Sequence, residues 1–209
     1  YLLLPALPEF TRRYPLIELD LRLNDRVVDL VAERVDVALR VGPIRQAGLA
    51  ARRVSQVSIV TCAAPAYLQD HGEPQTPDDL REHRLVGLSS PSGAPPEWSF
   101  PPPYTPKRLG LKFSMLFNSV EAPIIAATAG LGIAHTGDLL VAEYVGRGEL
   151  KLILEDFVVP GPSVSLVYPS AGHQLAKVRV FSDFAADLLL RWNVEVRPPT
   201  WERVMAIFA

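Results

Sequence analysis

The sequence has one cysteine, Cys62, and four scattered histidines in 209 residues. A lone thiol cannot close an intramolecular disulfide, so nothing in the chain demands an oxidising compartment, and a cytoplasmic home is expected. His71, His83, His135 and His173 have no second ligand three or four residues away, so the sequence writes no metal site and no metal is expected. Charge of one sign is lacking too. Lys plus Arg is 21 against 23 for Asp plus Glu, a net charge of -2, which gives no positive field to hold a phosphate backbone. No uncharged run is long and unbroken: residues 122–137 are interrupted by Gly130 and Gly132, and residues 157–176 carry three prolines, so no membrane span or membrane partner is expected. Tyr1 runs straight into Leu2, Leu3, Leu4 and Pro5 without a basic segment. No signal peptide is read there, and the abrupt opening suggests a fragment.

Catalytic signatures are missing as well. There is no phosphate-binding loop, no serine flanked by glycines at a nucleophile elbow and no serine followed by lysine three residues on. Gly130-Leu131-Gly132 lacks the third glycine of a dinucleotide fingerprint and follows a helical pattern, so it reads as a helix stop and no cofactor is expected. Cys62 ends an apolar run and reads as a small buried hydrophobe rather than a nucleophile. The chain is therefore not expected to be an enzyme. It is expected to fold, because 48% of its residues are hydrophobic and only 21% charged.

Periodicity divides the chain into alternating helices and strands. Leu3, Leu7, Phe10 and Tyr14 recur at helical spacing up to Pro15, and Ile17, Leu19, Leu21 and Leu23 alternate with Glu18, Asp20 and Arg22 like a half-buried strand. Asn24 and Asp25 are read as capping a short helix to Arg34, followed by a strand over residues 35–41 that ends at Gly42-Pro43. Alternation of this kind favours parallel sheet. Short apolar runs follow at 49–54 and 57–63, then a helix bracketed by Pro65 and Gly72, then a start signal at Thr76-Pro77-Asp78-Asp79. Six of the twenty prolines lie between Pro95 and Pro106, which predicts an irregular, surface-exposed loop. Leu109, Leu111, Phe113, Met115 and Phe117 predict a strand leading to Asn118, which is paired with Glu121 in the spacing of a capping box. A helix through Val120, Ile124, Ala127 and Leu131 is closed by Gly130. A strand at 131–135, a helix at 138–145 and strands at 150–154 and 163–168 follow. From Gln174 a long helix is expected to bury Val178, Phe181, Ala185, Leu188 and Trp192. There is no repeat of fixed period.

Candidate binding groups stand where α/β folds build sites, at carboxyl ends of strands and amino ends of the helices after them. These are Arg40 with Gly42, Asn118 with Ser119, and His135-Thr136-Gly137. Each also has an ordinary structural reading, as a helix cap or the partner of a surface acid.

Several stretches, in order, resemble the effector-binding domain of LysR-type transcriptional regulators. They are LLPALPEFTRRYP (3–15), DLVAERVDVALRVG (29–42), APAYLQDHGEPQTPDDLREH (64–83) with Trp98 and Phe100 beyond it, AATAGLGIA (126–134) with GRG (146–148), and Val167-Tyr168-Pro169 followed by KVRVF (177–181). The resemblance implies an α/β chain of the two-lobed type 2 periplasmic-binding-protein fold, each lobe a mixed, mostly parallel sheet flanked by helices, joined by two crossover strands. Lobe I would be residues 1–62 plus 166–192 and lobe II residues 63–165, with residues 193–209 a tail. Thr61, Cys62, Ala63, Ala64, Leu166, Val167 and Tyr168 would form the hinge. A small anionic effector would sit in the cleft between the lobes on Arg40, Val41, Gly42, Pro43, Ser89, Ser90, Asn118, Ser119, His135 and Thr136. The resemblance further implies a homodimer or homotetramer, and DNA contact only through a winged helix-turn-helix domain ahead of this segment. The family's opening strand is absent before Tyr1, and His135-Thr136 stands where relatives show Leu-Pro. A solute-binding protein of the same fold serving a transporter is the alternative.

Overall fold

A computed structural model describes residues 3–24, 27–90, 93–170 and 175–195, with side chains up to residue 191. The described residues form two compact units, one up to Val57 and from Pro162 onward, the other Ser58–Gly161. Two long strands pass from one unit into the other, so both boundaries fall within strands, a few residues before the lobe limits expected from the sequence.

The first unit opens on α1 (Leu3–Arg13), which ends ahead of Pro15 as its pattern predicts. Phe10 is its one fully buried side chain, packed edge-on to Phe181 with ring centres 5.3 Å apart and also against Phe184 and Tyr14. Phe181 and Phe184 belong to α6 (Ala176–Glu195), which buries Val178, Phe184, Ala185 and Leu189; Phe181 and Leu188 are half-buried. The Gln174 start and the Trp192 side chain lie outside the described residues. β1 (Ala38–Val41) pairs antiparallel with β7 (Val159–Pro169), Arg40 opposite Ser165.

Two expectations fail here. Residues 17–24 join no ladder among the described residues, and Leu21 and Leu23 are exposed. Alternation only permits a strand; a ladder needs an opposite edge, and no described strand supplies one there. Residues 27–34 form a turn instead of a helix, with Asp29 Oδ1 accepting the Val31 and Ala32 amides and Arg34 at φ 54°. Those two amides hold the Asp29 carboxyl below its ordinary range. Asp25 lies outside the described residues.

The second unit is built on the far end of β2 (Leu49–Ala63), a single strand where the sequence suggests two runs. β5 (Ala134–Gly137) and β6 (Lys151–Ile153) both pair antiparallel with it, so Cys62 faces Ala134 and Leu152. Among the described residues, parallel pairing, expected from the helix–strand alternation, is confined to β3 (Val86–Leu88) with β4 (Met115–Phe117) and to a bridge from Leu85 to Ile133. Cys62 is fully buried and burial pushes its thiol up to about 12, the inert hydrophobe the sequence suggests.

Helices α2 (Pro65–His71), α4 (Ala122–Thr128) and α5 (Asp138–Gly146) flank these strands. Thr76 and Asp79 close a capping box on a 3-10 turn, Pro77–Glu82, as the start signal predicts. Gly130, at φ 75°, ends α4 with the Leu131 amide on the Ala126 carbonyl, and so is the expected stop. Gly132 serves a different purpose. A Cβ there would come to 2.5 Å from the Arg84 carbonyl oxygen, which accepts the Ile133 amide. Only glycine lets the two backbones approach so closely.

The strand predicted over 109–117 shrinks to three residues. Pro106, capped by the Thr105 hydroxyl on the Arg108 amide, starts a helical turn α3 (Pro106–Leu109), and Gly110 at φ 56° ends it. The capping box of Asn118 with Glu121 does not form: Glu121 occupies the cap position and the helix begins at Ala122. Pro123 explains this, since its missing N–H is harmless in a first turn and costly one turn further in. The proline-rich stretch is irregular but not simply surface loop. Trp98 and Phe100 enter the core with Tyr67, Leu68, Leu80, Leu85, Leu109, Ile133 and Ile153.

Candidate functional site

The three strands β4, β3 and β5 end side by side. β3 and β4 are parallel, with Leu88 opposite Phe117, and the Leu85–Ile133 bridge lays the start of β5 along β3 in the same sense. Their carboxyl ends therefore bring Asn118 and Ser119, Ser89 and Ser90, and His135 and Thr136 to one edge of the second unit. Ser89 is fixed there by its amide and hydroxyl, which both donate to the Phe117 carbonyl at 2.7 and 2.9 Å. Ser90 closes the next turn, its hydroxyl accepting the Ala94 amide at 3.1 Å. Asn118 is exposed and Ser119 half-buried in the bend between β4 and α4. Neutral donors of this kind can hold a carboxylate or hydroxyl without bringing a counter-charge.

His135 and Thr136 share a strand and face different surroundings. The His135 ring stacks on Trp98, centres 5.0 Å apart at 26°, and packs on Phe100 at 4.7 Å. Its Nδ1 lies 2.9 Å from the Thr61 hydroxyl. Nε2 is buried and finds no hydrogen-bond partner among the described residues. Burial lowers the imidazole to about 3, so the ring is neutral. Its packing holds the proline-rich segment to β5 and β2. Thr136 is half-buried opposite Val60.

In the first unit, Arg40 is half-buried on β1 and donates an Nη hydrogen bond to the Val28 carbonyl. Val41 and Pro43 are exposed. Gly42, at φ 101°, donates its amide to the Ser163 carbonyl at 2.8 Å and turns the chain off the sheet. Thr61, Cys62 and Ala63 close β2, Ala64 precedes α2, and Leu166, Val167 and Tyr168 lie in β7. Sequence reasoning missed Asp138, fully buried at the start of α5 with Oδ1 on the Leu139 amide at 2.7 Å; an acid opening a helix after Thr-Gly was the available signal. No helix among the described residues is long and apolar enough to cross a membrane.

Polar residues stand at the carboxyl ends of adjacent strands, the place where α/β domains bind ligands. The family model for the LysR substrate binding domain matches residues 1–189. The chain is 34% identical over 199 residues to YhjC of Escherichia coli strain K12, an HTH-type transcriptional regulator, covering 90% of this chain and 63% of YhjC. Its fold matches the regulatory domain of CrgA from Neisseria meningitidis, a LysR-type transcriptional regulator, with a TM-score of 0.82 and 29% identity over 90% of this chain and 92% of that one. The effector domain of AmpR from Pseudomonas aeruginosa shares the fold, with a TM-score of 0.72 at 22% identity. This chain belongs to the LysR substrate-binding domain family. The α/β periplasmic-binding-protein-like fold expected from the sequence is the fold of these domains. The relatives carry the names of regulators, not of enzymes.

Proposed function

We propose that this chain is the effector-sensing and oligomerisation part of a bacterial LysR-type transcriptional regulator. The convergence of hydroxyl and amide groups at the ends of β3, β4 and β5 carries this reading, together with the family. The effector is a small anionic metabolite. Ser89, Ser90, Asn118, Ser119 and Thr136 contact it, His135 shapes the floor beside Thr136, and Arg40, Val41, Gly42 and Pro43 form the contribution of the first unit. The end of β2 with Ala64 after it, Thr61–Ala64, and Leu166–Tyr168 of β7 are the hinge, and effector binding shifts a conformational equilibrium there. The chain spans 63% of YhjC's length; DNA contact belongs to a winged helix-turn-helix domain in the remainder, in keeping with the net charge of -2 here. The regulator works in the cytoplasm. The transporter alternative finds no support among relatives named as transcriptional regulators.

Thermal-shift screening of carboxylated metabolites identifies the ligand. Asn118→Ala and Arg40→Ala are then each expected to weaken its binding by about tenfold, the loss of one hydrogen bond to a charged group, with unchanged circular dichroism. Unchanged affinity in both variants overturns the assignment.

Homodimers or homotetramers form through the apolar surface of residues 16–31, where Leu16, Leu23, Val27 and Val31 are 96%, 80%, 84% and 60% exposed, docking on α4 of a second copy around Ile125, which is 57% exposed. Light scattering should give at least a dimer mass, and Leu23→Glu with Val27→Glu a monomer. A monomer from the unaltered chain at high concentration overturns it.

A further inference from the structure

Two imidazoles, a phenol and a guanidinium meet where β3 begins, away from the proposed effector residues. His71 stacks flat on Tyr67, ring centres 4.3 Å apart at 9°. Its Nε2 lies 2.8 Å from Arg84 Nη2 and its Nδ1 lies 3.1 Å from the Tyr67 carbonyl oxygen. A guanidinium can only donate and a carbonyl can only accept. Nε2 must therefore carry the lone pair and Nδ1 the proton in this contact. On the other side, the Arg84 amide donates to the Tyr67 hydroxyl at 2.9 Å, and that hydroxyl faces His83 Nδ1 at 3.3 Å. The phenol and His83 Nδ1 share one hydrogen bond, its direction set by the imidazole tautomer. His71 thus accepts from Arg84, and both imidazoles belong to one network around Arg84.

We propose that this cluster is an acid-sensitive latch that ties α2 to the start of β3. A proton on His71 Nε2 would set two N–H groups against each other and place a second cation beside Arg84. A proton on His83 would add a third cation to the network. The carboxylates facing His83 are Asp79 and Glu82 of the 3-10 turn, and Asp79 is already committed to the Gln75 and Thr76 amides. The stretch packed on Arg84 just before β5, Gly132 and Ile133, brings no titratable group. Burial, with His71 adding to it, lowers the His83 imidazole, so folding opposes its protonation. The sign follows. The latch is complete above about pH 6.5, the unfolded histidine value, and loosens as the pH falls below it. Arg84 leads through β3 to Ser89, so loosening at one end of the strand reaches the candidate site at the other, whatever the effector is.

Amide hydrogen exchange on the 209-residue chain, corrected for intrinsic rates at about pH 7.5 and 5.5, tests this. Protection of the Arg84 amide is expected to fall about tenfold on acidification while β2 amides hold theirs, a local opening. In a variant carrying His71→Gln and His83→Gln the fall should vanish. Constant Arg84 protection in the unaltered chain, or an equal fall in the variant, overturns the latch. If the variant does not fold, imidazole titrations of the unaltered chain decide: the midpoint of Arg84 opening must coincide with that of His71 or His83, and a mismatch with both overturns it.

Discussion

Trp98→Ala is expected to lower the unfolding free energy by about 3–5 kcal/mol, the cost of truncating a large core aromatic that cannot be refilled. Trp98 is only 4% exposed although it sits in a proline-rich segment. It lies edge-on to Phe113 at 5.4 Å and face-on to His135 at 5.0 Å, so its removal strips contacts from both β5 and the segment before β4. Urea denaturation followed by circular dichroism measures the effect. A loss below about 1 kcal/mol, the range of an ordinary surface change, would show that the segment is not part of the core.

The second large effect is acid dependence through His135. Its folded value lies near 3 and its unfolded value near 6.5, so the unfolded chain takes up the proton first as the pH falls. Stability from the neutral ring is complete above about pH 6.5 and is lost progressively toward pH 3, at about 1.4 kcal/mol per pH unit. His135→Gln removes the titration while leaving a polar group beside Thr61. The stability advantage of the unaltered chain over this variant is therefore expected to shrink by about 3 kcal/mol between pH 7 and pH 4. Titration of other groups, His83 included, cancels in that difference. A gap independent of pH would place the imidazole in contact with water.

The two effects concern a part of the chain whose sequence misleads. Prolines around 95–106 announce irregular backbone, and irregular backbone is there. Composition gives no sign that Trp98 and Phe100 turn inward, because that depends on an imidazole more than 30 residues later in sequence offering them a flat, uncharged face. The same separation hides the role of His135. As a residue at a strand end it reads as a ligand contact, yet its ring is occupied by Trp98, Phe100 and Thr61, while its neighbour Thr136 keeps the edge position. Asn118 shows a signal present but outweighed. Its spacing to Glu121 suits a cap, but Pro123 sets the first turn three residues later than that spacing implies.

What the sequence by itself determined is local. The Pro65 start and Gly72 end of α2, the Thr76–Asp79 box, the Gly130 stop, the end of α1 before Pro15 and the inert character of Cys62 follow from sterics, hydrogen bonds and side-chain polarity acting within a few residues, and the ordered motifs pointed to the family. The tertiary structure alone decided that residues 17–24 pair with no described strand, that β2 takes antiparallel partners, that Gly132 is required by the Arg84 carbonyl, and that Tyr67 joins His71, His83 and Arg84. Each depends on which group lies opposite. A residue's own neighbours carry no record of that, because the partner is brought there by the path of the whole chain.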